Sequence, residues 1–402
     1  MSTKVFKKKN PVIPITELEQ MAFCQTSSNL RTKTLEEEFK SGVRWQKAPA
    51  RYLRLSSEEL EQGIKESRNI LGDQLFILGH HYQRQDVIKH SDVQGDSYKL
   101  SVLASQAKAK HIIFCGVHFM AETAEVLSAD DQNVILPNMA AGCSMADMAD
   151  IEDVQEAWDD LSATLLEKNQ ILPITYMNST ADIKSLCGQN GGLVCTSSTA
   201  KKAFKWAFKR AKRVLFLPDQ HLGRNTAKSL GVQLNEMVVW DPFKKMGGLT
   251  KDQIKNARVI LWKGHCSVHT RFTTDQIQNA RNEFDANIIV HPECTTEVVD
   301  DSDYVGSTEF IVDTINNASS GTTWAIGTEI NLVKRLAMNN KDKKIFCLDP
   351  VVCPCATMYR IHPAYLLWVL DGLRAGLLIN QIKVSRQVKE NANKAIERML
   401  SL

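Results

Sequence analysis

Eleven short, continuously apolar runs punctuate this 402-residue chain from about residue 75 onward, and helical patterns separate them. They cover 75–78, 112–114, 134–136, 171–174, 193–194, 214–217, 237–239, 259–261, 288–290, 324–326 and 344–346. A strand with one wet face alternates apolar and polar side chains. A strand apolar throughout is buried on both faces, which is the situation of a parallel sheet with helices above and below it. The expected fold class is therefore α/β, with parallel sheets sandwiched by helices. The runs divide into three compact units. The first covers about 40–142 and is completed by 353–402; the second is 143–264 and the third 265–352. Residues 1–40 are polar and read as a peripheral N-terminal extension, and the helical stretch after 353 is expected to return onto the first unit.

At 43% hydrophobic and 24% charged residues, the chain has the composition of a soluble globular protein with a large core. With 49 Lys plus Arg against 46 Asp plus Glu, it carries no electrostatic footprint for nucleic acid or an anionic membrane, so small-molecule partners are expected. No apolar run approaches the roughly 18 residues of a membrane span. The basic start (Lys4, Lys7, Lys8, Lys9) lacks the apolar core of a signal peptide, and Glu17 and Glu19 argue against an organellar presequence. Ten cysteines without a signal peptide imply a reducing compartment, a cytoplasmic location, and thiols or ligands rather than a disulfide framework. There is no C-x-x-C, so any metal cluster must be assembled from distant loops. Cys24, Cys187, Cys195 and Cys294 read as small buried hydrophobes.

Polar and reactive residues follow the apolar runs directly, as in His80-His81-Tyr82, Asn178-Ser179-Thr180, Thr196-Ser197-Ser198, Pro218-Asp219, His291-Pro292-Glu293 and Asp349-Pro350. Parallel α/β sheets bind ligands beyond the carboxyl ends of their strands, so these tips suggest several sheets aimed at one centre. Three cysteines occupy similar junctions, in Gly142-Cys143-Ser144, His265-Cys266-Ser267 and Cys353-Pro354-Cys355, at intervals of 123 and 87 residues. One thiolate from each unit could meet at a single metal centre, and three thiolates on a four-iron cluster leave one iron open to substrate. Spacing alone leaves Cys355 as a rival to Cys353, while Cys115 also ends a strand.

Taken together, eleven segments resemble the quinolinate synthase (NadA) family, over roughly residues 75–370. They include Gly79-His80-His81-Tyr82-Gln83, Gly95-Asp96-Ser97, Cys115-Gly116-Val117-His118, Ala141-Gly142-Cys143-Ser144, Tyr176-Met177-Asn178-Ser179-Thr180, Cys195-Thr196-Ser197-Ser198, Cys266-Ser267-Val268-His269, His291-Pro292-Glu293, Gly306-Ser307-Thr308 and Cys353-Pro354. The resemblance implies three pseudo-repeated domains arranged around one central active site. It also implies a [4Fe-4S] cluster on Cys143, Cys266 and Cys353, the Cys-Pro dipeptide favouring Cys353 and leaving Cys355 to pack or tune the site. The implied reaction condenses iminoaspartate with dihydroxyacetone phosphate to quinolinate, phosphate and water, in the de novo synthesis of NAD. Tyr82, Glu293, His80 and His291 are the implied catalytic groups. His80, Ser97, Tyr176, Asn178, Ser197, His269, His291, Glu293 and Thr308 are the implied substrate contacts. An aspartate-oxidising enzyme is the implied functional partner, and the chain is expected to be a monomer or homodimer. Thr199 departs from the family, where Asn is usual, and Asp219 and His221, which read equally well as a surface turn, stay outside the site. Two other readings of three cluster thiols, an aconitase-type hydro-lyase and an iron–sulfur redox or oxygen sensor, fit less well. The His291-x-Glu293 and Gly95-Asp96-Ser97 contexts do not suggest the first, and the near-neutral charge counts against the second.

Overall fold

The computed structural model describes residues 33–40, 45–165, 170–351 and 353–402. It contains three parallel sheets. The first is built from β1 (Leu75–His80), β2 (Val93–Gly95), β3 (His111–Cys115) and β4 (Asn133–Ile135), in the order β2-β1-β3-β4. The second uses β5 (Ile171–Tyr176), β6 (Leu193–Cys195), β7 (Arg213–Leu217), β8 (Met237–Trp240) and β9 (Val259–Trp262), in the order β6-β5-β7-β9-β8. The third has β10 (Asn287–Val290), β11 (Tyr304–Val305), β12 (Thr323–Gly327) and β13 (Lys344–Cys347), in the order β11-β10-β12-β13. Every pairing within them is parallel.

All eleven expected strands are present. The two that sequence reading missed, β2 and β11, are short edge strands, Val93-Gln94-Gly95 and Tyr304-Val305, and neither is buried through its length. Burial explains why the others were visible. In β10, Ile288 and Val290 enter one apolar cluster with Ala325, whereas Ile289 enters another with Trp324 and Ile326 on the opposite face. Both faces of the strand are dry, so no polar residue can alternate. The first two sheets share one continuous core that runs from Ile77 and Ile113 to Phe216 and Leu261.

The C-terminal stretch divides its contacts. Helix Pro363–Arg374 packs on helix Ser57–Leu71, and helix Arg386–Leu400 lies against Ala181–Gln189 and β6 of the second sheet. Its Ala392, Ala395, Ile396 and Met399 form a buried stripe at helical spacing. Nor is the described part of the N-terminal extension peripheral. Leu35 is buried, the Tyr359 hydroxyl donates to Glu38 at 2.9 Å, and His362 Nε2 lies 2.9 Å from the Lys33 carbonyl.

The helix docking sets a stability test. A Cβ on Gly188 would run into the backbone carbonyl of Asn391, and no rotamer change relieves a clash with backbone. Gly188→Ala should therefore cost roughly 1–3 kcal/mol, the usual range for overpacking. A urea melt would show this as a lower midpoint, and an unchanged midpoint would mean that the helix does not dock as described.

Candidate active site

The three sheets repeat one spatial order, so each delivers equivalent positions at its carboxyl edge. The tip of the first strand carries His80 at the end of β1, Tyr176 at the end of β5 and His291 just after β10. The helix after the second strand begins near Ser97, Ser197 and Thr308. Beyond the strand in the fourth spatial position, β4, β9 or β13, lie Cys143, Cys266 and Cys355. All nine line one cavity of about 650 Å³, part of it open to solvent. Tyr82, Asn178, His269 and Glu293 line it too, so every site residue expected from the sequence is there except Cys353.

Local chemistry explains the placements. The Asp96 carboxylate accepts the Lys99 N–H at 2.8 Å and caps helix Ser97–Gln106, fixing Ser97 in its first turn. The Ser307 hydroxyl accepts the Phe310 N–H at 3.3 Å and does the same for Thr308. Around Ser197, the Thr196 N–H donates to the Thr199 hydroxyl at 2.9 Å, and the Thr196 and Ser198 hydroxyls meet at 2.8 Å. Thr199, the departure from the family pattern, therefore closes the turn that presents Ser197.

Glu293 is the electrostatic centre of the cavity and is buried. One carboxylate oxygen lies 2.8 Å from His269 Nδ1, and the other lies 3.8 Å from His291 Nδ1. The two imidazoles stack at 4.6 Å. Burial would raise this carboxyl, but His269, His291 and the Tyr176 hydroxyl outweigh it and hold Glu293 below the ordinary carboxylate range. Its charge is felt by its neighbours. Burial and then Glu293 push the phenols of Tyr82 and Tyr176 well above their usual range, so both stay protonated at neutral pH. Asp219 is a fully buried helix cap, with Oδ1 2.7 Å from the Leu222 N–H, and not a surface turn. Burial and Glu293 raise its carboxyl, so Glu293 keeps the charge and Asp219 the proton.

Burial lowers the His291 imidazole to about 3 and holds His80 well below its usual range. His80 Nδ1 accepts the Tyr82 N–H at 3.1 Å, which leaves the single proton on Nε2. The Tyr82 hydroxyl reaches the Thr328 hydroxyl at 2.7 Å and lies 3.4 Å from His269 Nε2. No Lys or Arg is among the described residues that line the cavity, so anionic groups there would meet neutral donors and helix N-termini.

The third thiol lining the cavity is Cys355, whereas the sequence favoured Cys353. Cys353 is buried and disulfide-bonded, so its sulfur is not free to serve as a thiolate ligand, and it also departs from the expectation that all ten cysteines are thiols or ligands. Cys355 is free, precedes helix Ala356–Tyr359, and gives its backbone N–H to Glu329 Oε1 at 3.1 Å. Burial, then Cys355, keeps Cys143 protonated; burial, then Glu293, does so for Cys266; and burial does the same for Cys355, so ionising all three calls for a cation among them. The donor set suits a thiophilic metal centre. Cys266, His269 and Glu293 also place ligand atoms within 4.8 Å of one another. Of the cysteines read as packing, Cys187, Cys195 and Cys294 are fully buried, as is Cys115; Cys24 lies outside the described residues.

Sequence reading missed Asp96 and Thr196 on the cavity wall, and Thr328 and Glu329 behind it. The signal was available, because Gly327-Thr328-Glu329 ends an apolar run in the same way as the other polar tips.

Comparison with known proteins agrees with this geometry. Residues 62–401 match the family described as Quinolinate synthetase A protein, NadA. A quinolinate synthase of Corynebacterium glutamicum is 55% identical over 361 residues, covering 89% of this chain and 91% of that protein. Those of Herpetosiphon aurantiacus and Bacillus cereus are 53% and 54% identical, covering 87% and 88% of this chain and 94% and 95% of theirs. A match of this extent, on a chain whose three sheets converge on the expected cavity, shows that the protein is an enzyme belonging to the quinolinate synthase family.

Proposed function

We propose that this enzyme condenses iminoaspartate with dihydroxyacetone phosphate, releasing phosphate and water to form quinolinate in the de novo synthesis of NAD. The observation that carries the reading is that three thiols, one from the end of each sheet, share a cavity with Glu293, three imidazoles and two phenols. Cys143, Cys266 and Cys355 would hold a [4Fe-4S] cluster. When bound, such a cluster offers one iron without a protein ligand and supplies Lewis acidity for the loss of a hydroxyl.

The chain's own residues account for binding and proton transfer. The substrates bring two carboxylates and a phosphate into a cavity whose described residues include no Lys or Arg, and Ser97, Ser197 and Thr308 near three helix N-termini supply hydroxyl and amide donors there. His80, its proton on Nε2, and His291, neutral through burial, act as donors that add no charge. Asn178 Oδ1 is buried without a partner and can accept an imine or hydroxyl proton. Enolising dihydroxyacetone phosphate needs a base held beside carbon, and Glu293 is ionised and fixed on two sides. Tyr82 and Tyr176, both protonated, complete the acid–base set. The substrates imply a supply of imine from an aspartate-oxidising enzyme, and the number of cysteines favours the cytoplasm, with a monomer or homodimer as the working form. No helix among the described residues is long and apolar enough to cross a membrane.

Two tests follow from these assignments. After anaerobic reconstitution, Cys143→Ser, Cys266→Ser and Cys355→Ser should lose iron, sulfide and the brown absorbance, while Cys353→Ser keeps them. A colourless Cys353→Ser beside a brown Cys355→Ser would return the ligand role to Cys353. Glu293→Gln keeps the shape and should keep its iron and bind quinolinate, while its rate falls by on the order of 10²- to 10⁴-fold, the usual cost of losing a general base. Near-normal turnover with an intact cluster would move the base elsewhere.

A further inference from the structure

The turn His291-Pro292-Glu293-Cys294 follows β10 in the third sheet, but a side chain from the second unit holds it. Asn225 lies on helix Gln220–Ser229, which follows β7, and it is 7% exposed. Its Nδ2 donates to the Pro292 carbonyl and to the Cys294 carbonyl, both at 2.9 Å. Its Oδ1 accepts from the Thr296 hydroxyl, also at 2.9 Å. The two carbonyls belong to the residues immediately before and after Glu293, so one amide brackets that residue's backbone from the neighbouring unit.

Hydrogen-bond chemistry leaves the amide one orientation. A carbonyl oxygen can only accept, so the amide turns its nitrogen to both carbonyls and spends both of its N–H groups there. Its oxygen then needs a donor, which is the Thr296 hydroxyl. Aspartate has the same shape without the donors, and leucine fills the space with neither donor nor acceptor. Within the third unit, the His291 N–H donates to the Gly327 carbonyl at 3.1 Å and the Cys294 N–H to the His291 carbonyl at 3.0 Å, and neither bond involves the carbonyls that Asn225 holds. Asn225 follows β7 and His269 follows β9, and these strands are neighbours in the second sheet. The clamp and the imidazole 2.8 Å from Glu293 therefore stand on one frame. Asn225 itself is not on the cavity wall. The same helix has a second link to the third unit, an exposed ion pair between Lys228 and Asp300.

We propose that Asn225 is a positioning residue, which fixes the Glu293 turn of the third unit against the second sheet and so sets where the carboxylate stands in the cavity. An asparagine that merely joined the two units would be equivalent to the Lys228–Asp300 pair. The bonds to the carbonyls on either side of Glu293 predict a difference in the rate of reaction as well as in stability.

The inference rests on Glu293 being the base proposed above. Asn225→Leu removes the clamp at similar volume, Thr296→Val removes only the donor that orients it, and Lys228→Ala removes the other link. In the reconstituted holoenzyme, Asn225→Leu should keep its iron and its KM while kcat falls by roughly 10- to 10²-fold, because a misplacement of about 1 Å can cost that much. Thr296→Val should lose part of the same rate, and adding it to Asn225→Leu should cost nothing further, since both act through one clamp. Lys228→Ala should keep its kcat even where its urea midpoint falls. The clamp is overturned by an unchanged kcat in Asn225→Leu, by a loss that appears in KM alone, by an equal loss of kcat in Lys228→Ala, or by additive losses in the double variant. Where Asn225→Leu does not fold, Thr296→Val decides, and an unchanged kcat there overturns the clamp. Glu293→Gln separates the two ideas. If it is inactive while Asn225→Leu is normal, only the clamp fails; if it turns over normally, the assignment of the base itself fails.

Discussion

Parallel pairing is the constraint on which everything else depends. Strands that all run one way must be joined by crossovers, and the crossovers bury both faces and collect every carboxyl end at one edge. Three sheets built to the same strand order then offer three equivalent edges. When those edges meet, Cys143, Cys266 and Cys355 come together although each follows a different sheet, and so do Ser97, Ser197 and Thr308. No single sheet contains a complete set. The chemistry is a property of their mutual placement.

That placement concentrates charge. One carboxylate, Glu293, stays ionised in a buried setting because His269, His291 and Tyr176 surround it, and burial together with its field keeps Asp219, Tyr82 and Tyr176 protonated. The wall contributes no lysine or arginine among its described residues. A cavity of this kind binds anions through dipoles and neutral donors, which leaves its carboxylate free to act as a base rather than tied into an ion pair with a cationic side chain.

The sequence makes the fold legible wherever burial is two-sided, because Ile288-Ile289-Val290 or Val214-Leu215-Phe216-Leu217 can only be a strand with dry faces. It does not reveal β2 and β11, whose edge positions impose no such pattern. Within the site, residues at strand tips are legible for the same topological reason. Cys355 was not, because two cysteines two residues apart look alike in sequence, and only the folded chain shows which of them lines the cavity. Thr328 was hidden differently. It touches residues that face the cavity without facing it, and those contacts exist only once Tyr82 and His269 arrive from distant segments.

The final fifty residues give the chain an order of assembly. Helix Pro363–Arg374 covers helix Ser57–Leu71, and helix Arg386–Leu400 covers Ala181–Gln189. Both early sheets therefore emerge from the ribosome long before their last covering helix has been made, and their apolar faces wait through the synthesis of the whole third unit. Cys355 arrives in that same closing segment. A nascent chain that stops short of Cys355 presents two of the three cavity thiols, and a product truncated before the return segment would carry the first two sheets without the third thiol.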